Sequence, residues 1–172
     1  MKRKITLGIL ILISYLLMGS LFDFISLGGI KPNLFIILIA SAAFIRGENE
    51  GMAVGAITGV LADIMWGSLF GYHILIYTLI GFVCGIFNRI FFDDDIKFPI
   101  LLIGVSDFGY GIVTYVFFHM FNGDFGLNYY MFHIIFPETV YTLLVTLIMY
   151  PIIRKLSIWV GRKEQRRSST FV

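Results

Sequence analysis

The chain has 172 residues, 58% of them hydrophobic and only 14% charged, with a mean hydropathy of +0.89. Soluble domains carry about a quarter charged residues, so this composition excludes a soluble fold and makes the bilayer the solvent. The net charge of +2 says little by itself, and the single cysteine, Cys84, excludes an intrachain disulfide or a cysteine metal site.

In chain order, Met1-Lys2-Arg3-Lys4 gives a positive start, and 5–22 is an apolar run of 18 residues. That exceeds the roughly 7–15 residues of a signal-peptide core, and no A-x-A-like site follows, so the run reads as a retained first span. The second span, 32–45, is short, at about 21 Å against a hydrocarbon core of about 30 Å. Pro32 suits its first helical turn, and two short spans with local bilayer thinning fit better than a re-entrant pair, which would put Arg46 outside. Further spans are expected at 51–67, 71–90, 98–120 and 131–153. Residues 1–153 are thus expected to form a single six-helix transmembrane domain, and 154–172 a basic cytoplasmic tail.

Loop charge sets the orientation. With the N-terminus inside, twelve of the thirteen basic residues fall in cytoplasmic segments and only Lys31 falls outside. This is the positive-inside bias of an N-in, C-in protein. Asp93-Asp94-Asp95 reads as a solvated turn, and the Gly-, Asn- and aromatic-rich 121–130 segment suits the outer interface, with His119 and His133 flanking it.

Small residues recur every four positions at Gly51, Gly55 and Gly59, then Asp63, then Gly67 and Gly71, and Gly81 and Gly85 form a second pair on the next span. In lipid, helices associate by close backbone approach at such stripes, so spans 3 and 4 are expected to form a tight antiparallel hairpin. Asp63 is an intramembrane carboxylate, costly unless it faces protein or water, with His73 as its expected partner across the turn. It reads best as a brace of that turn, and next best as a partner contact. Asp107 and Glu138 are the other intramembrane polar candidates. Asp107 is expected in the cytoplasmic half of its span and Glu138 near the outer interface, so the three acids are expected at three depths.

No H-E-x-x-H, G-x-S-x-G or P-loop pattern occurs, which leaves no catalytic, metal or cofactor-binding residue to name. The basic tail suits topology and anionic lipid, not nucleic acid.

Lys31-Pro32-Asn33 before an apolar span, Arg46-Gly47 before Glu50-Gly51, the Gly55/Gly59/Asp63 run, and Gly71 with His73 occur in the order found in MreD, the rod shape-determining membrane proteins of bacteria. The chain resembles that family along nearly its whole length, by hydropathy alone after about residue 95. The resemblance implies a non-enzymatic inner-membrane scaffold of cell-wall elongation, without cofactors. Its implied partners are membrane lipid and an MreC-like single-span coiled-coil protein, and through the latter the MreB filament and the RodA/penicillin-binding-protein synthase of peptidoglycan. In architecture the family is similar to the substrate-binding subunits of energy-coupling-factor transporters, which supplies an alternative, a small-molecule-binding transporter subunit. Those subunits commonly carry A-x-x-x-A on the first helix, and ITLGILILISYLLMGSLF lacks it.

Overall fold

The computed structural model describes residues 2–21, 29–66, 69–90, 96–120 and 126–168. Six helices carry these residues. Helix α1 is Lys2–Leu16, extended by a π-helical turn, Leu17–Leu21. Helices α2 to α5 are Leu34–Arg46, Glu48–Trp66, Tyr72–Ile90 and Lys97–Phe118. Helix α6 comprises Leu127–Tyr130, a π-helical turn Met131–Ile135, and Phe136–Ser168. Among them, 72–89, 97–118 and 127–159 are long and apolar enough to cross a membrane, and 6–19 and 34–46 are shorter apolar helices.

Helix α2 is the centre of the bundle. Every residue from Leu34 to Phe44 is buried, and all five other helices pack against it. A helix that is apolar all round belongs in a core. At about 20 Å it is short, but its sides meet protein, so its length requires no thinning of the lipid. It begins two residues later than expected from Pro32. Asn33 is the N-cap, its side-chain oxygen accepting the Ile36 N–H at 3.2 Å, while its own N–H donates to Thr142 Oγ1 on α6 at 3.1 Å.

The C-terminus of α2 is tied with equal care. Gly47 turns the chain at φ 90°, a conformation glycine adopts without strain, and its N–H bonds Ala43 O at 2.7 Å. Asn88 Nδ2 donates to the otherwise unpaired Phe44 carbonyl at 2.5 Å. Arg46 reaches Ser157 Oγ on α6 at 2.7 Å and Glu50 at 3.2 Å, and Arg89 pairs with Glu48.

The most extensive contact is between α3 and α4. A Cβ on Gly55 would strike the Tyr77 carbonyl, one on Gly59 the backbone of Ile74, and one on Gly51 the Gly81 carbonyl. From the other side, Gly81 meets Gly51 and Gly85 meets Glu48, backbone against backbone. Gly71 differs. Nothing lies within 4 Å of its Cβ position, and its φ of +101° marks it as a turn glycine. Gly67 and Asp93-Asp94-Asp95 lie outside the described residues.

Helix α6 starts at Leu127 instead of 131 and runs on through Arg154 to Ser168. Pro137 has no N–H to give the preceding turn, and the π-helical turn Met131–Ile135 stands where that bond is missing. Large apolar side chains such as Ile64, Leu75, Leu101, Phe136 and Ile148 remain exposed on the outer faces, as a lipid-facing surface requires.

The glycine contacts are testable. Gly55→Ala and Gly59→Ala should each cost about 1–3 kcal/mol by forcing two backbones apart, read as a lowered Tm of the purified protein, and the leucine variants should fail to accumulate. Gly109→Ala, with open space around it, should be neutral or slightly stabilising.

Candidate functional site

Asp63 sits near the end of α3, where the chain turns toward α4. Its side chain is fully buried. Oδ2 accepts the Gly71 N–H at 2.8 Å, and Oδ1 accepts the His73 N–H at 3.1 Å. His73 Nδ1 lies 2.8 Å from the same Oδ1. An ionised carboxylate only accepts, so Nδ1 carries the proton in this pair. Two of the three donors are backbone groups at the start of α4, which have no partner within that helix. The carboxylate therefore caps α4 from the end of α3, and the open turn at Gly71 lets it reach. Every polar atom of the carboxylate is occupied by the protein's own donors.

From this brace an aromatic layer leads across the bundle. The His73 ring stands 5.7 Å from Tyr77, and Tyr77 stands 5.5 Å from Tyr110 on α5. Tyr77 is 1% exposed and packs edge-on against Phe35 of α2. Tyr72 donates to Thr114 Oγ1 at 3.0 Å and meets Phe118 at 4.9 Å. These contacts join α4 to α5, whose direct backbone contact is slight.

Beyond the tyrosines lie the other two acids. Asp107 is about 15 Å along α5 from Lys97, and Glu138 about 16 Å along α6 from Leu127. The two carboxylates are near enough for their charges to interact. Glu138 lines a cavity together with Lys31, Tyr129 and His133. Asp107 is 2% exposed, and neither of its oxygens has a hydrogen bond. Thr139 and Thr142 flank it, but Thr139 donates to Ile135 O at 2.9 Å, and neither hydroxyl meets the carboxylate in bonding geometry. His119 stacks between Tyr115 and Tyr130, and His133 stacks on Tyr129 at 4.3 Å.

Of the candidate residues, Asp63, Gly71 and His73 are thus brought together, Gly55, Gly59, Gly81 and Gly85 face the α3–α4 seam, and Asp107 is buried while Glu138 lines a cavity. Sequence reasoning missed Asn33 as a cap, and missed Tyr77, Tyr110 and Thr142. The signal for Thr142 was present, because Thr139, Thr142 and Thr146 recur at helical spacing and mark one polar stripe on α6. Among the described residues no group of three His, Cys, Asp or Glu could hold a metal ion.

The described helices define an all-α, multi-span membrane bundle whose buried polar side chains are mainly serines and threonines, with Asn33, Asp63, His73 and Asp107 among them. Residues 1–159 match the family described as MreD, rod shape-determining protein MreD, and the chain belongs to that family. It is a non-enzymatic, multi-pass protein of the bacterial inner membrane. No curated protein and no solved structure gives a significant match.

Replacing Asp63 separates its bonds from its size. Asp63→Leu leaves the Gly71 and His73 N–H groups unpaired in the interior, at about 1–3 kcal/mol each, and should lower Tm strongly or abolish accumulation. Asp63→Asn keeps one acceptor oxygen and should fall between leucine and the parent protein. Equal Tm for all three would show that the carboxylate does not brace the turn.

Proposed function

We propose that the chain is a scaffold of the bacterial cell-elongation complex, supporting peptidoglycan synthesis and rod shape by holding an MreC-like single-span coiled-coil protein. Through that protein it would connect to the MreB filament and to the RodA/penicillin-binding-protein synthase. The observation that carries this reading beyond family membership is the state of Asp63. Its carboxylate accepts from two backbone N–H groups and His73 and is fully buried, an arrangement that stabilises a helix pair and keeps the group away from a substrate. An inner membrane scaffold needs a rigid frame presenting apolar outer faces to lipid and to a partner's helix, and the bundle has such faces.

Six spans with both termini cytoplasmic belong to the same reading. They are supported by the distribution of basic residues and by the Arg46, Arg89 and Ser157 polar cluster, which lies at the end of the bundle opposite Asp63. A small-molecule-binding transporter subunit is a second reading. One observation favours it, a cavity beside Glu138.

Expression of this chain should restore rod shape to a rod-shaped bacterium depleted of its own family member, and the chain should co-purify with the single-span coiled-coil protein. Normal abundance without either result would overturn the scaffold reading. Co-purification with an ATPase instead would favour the transporter reading. Reporter fusions after Arg46 and Arg89 should report cytoplasm, and fusions after Gly28 and Asp124 the outside.

A further inference from the structure

A cavity of about 560 Å³ opens between residues 29–31 and the first part of α6. Its size falls within the range of about 300–1,000 Å³ typical of small-ligand pockets. Glu138 and His133 line it, so a carboxylate and an imidazole face the cavity.

The wall is of matching chemistry. His133 Nδ1 lies 3.1 Å from the Tyr129 carbonyl. A carbonyl only accepts, so Nδ1 holds the proton and the neutral ring's Nε2 is an acceptor. Tyr129 is 66% exposed and stacks on His133, giving an aromatic face at the cavity. Acceptors beside an aromatic face suit a cation with N–H donors. Lys31 borders the cavity too.

We propose that the cavity beside Glu138 binds the primary ammonium group of a small amine, either free or as the headgroup of an aminophospholipid. Glu138 holds the ammonium group by a charge-assisted hydrogen bond, His133 supplies the second acceptor, and Tyr129 covers it. A quaternary ammonium has the charge but no N–H and leaves the acceptors unpaired. The site stands on its residues alone and does not depend on the wall-elongation reading.

The full chain would be placed in nanodiscs of phosphatidylcholine and phosphatidylglycerol, and its Tm followed on addition of ethanolamine or choline at matched ionic strength. In a second arm, native mass spectrometry would compare retention of phosphatidylethanolamine and phosphatidylcholine. A larger Tm rise with ethanolamine identifies a free-amine site, and several-fold retention of phosphatidylethanolamine identifies a headgroup site. Either preference should vanish in Glu138→Gln and persist in Glu48→Gln, a carboxylate paired with Arg89 at the opposite end of the bundle. Tyr129→Ala, on an exposed side chain, should weaken binding about threefold and serves if Glu138→Gln fails to accumulate. Equal responses to primary and quaternary ammonium in both arms, or a preference that survives both Glu138→Gln and Tyr129→Ala, would overturn the proposal. Cell shape does not enter the readout, so this test and the scaffold test fail separately.

Discussion

Two helix backbones in direct contact, α3 against α4, are the constraint on which the rest of the bundle depends. Lipid offers helices no hydrophobic reason to associate, so close approach and internal hydrogen bonds must do it. Gly51, Gly55 and Gly59 on one side, with Gly81 and Gly85 on the other, remove every Cβ that would hold the axes apart. The pair is then fixed at both ends by charge. Asp63 closes the turn at one end, and Glu48 with Arg89 spans the helices at the other. Neither fixture would reach if the axes were wider, and without them a pair of smooth helices could slide.

That rigid pair makes the central position of α2 possible. A 13-residue helix cannot bridge the bilayer well alone, and an isolated one is marginal in water. Here its ends are given partners by other helices. Thr142 of α6 accepts the Asn33 N–H, Asn88 of α4 supplies the Phe44 carbonyl, and Arg46 ties the far end to Ser157 of α6. The polar side chains near this core are terminations for backbone groups that lipid could not satisfy.

Much of this was legible in the sequence, and the limits have physical causes. Composition and hydropathy are sufficient for the helical membrane class, because a spanning segment must be apolar over its whole length. The four-residue spacing of Gly51, Gly55 and Gly59 is a local pattern and marks a face of α3. Asp63 and His73 are ten residues apart around one turn, so their proximity is also a local matter. Asp107 and Glu138 are 31 positions apart on different helices, and their relative height depends on where α6 begins. The π-helical turn before Pro137 also shifts which side chains share a face of α6, and hydropathy does not register it. The central place of α2 was illegible for a related reason. An apolar helix looks the same in sequence whether lipid or protein surrounds it.

The two acidic centres differ in a way that separates structure from surplus. Around Asp63 both oxygens have donors, two backbone N–H groups and an imidazole on one carboxylate. Around Asp107 no donor meets the carboxylate, although threonines flank it on α6. A fold under selection for rigidity alone would have little reason to keep an unmatched carboxylate in its interior, since an apolar residue of similar size there avoids the desolvation cost. The Tyr77 and Tyr110 layer stands between the centres and keeps each in its own surroundings. The bundle therefore joins a saturated end, where polarity holds helices together, to an unsaturated one beside an open cavity.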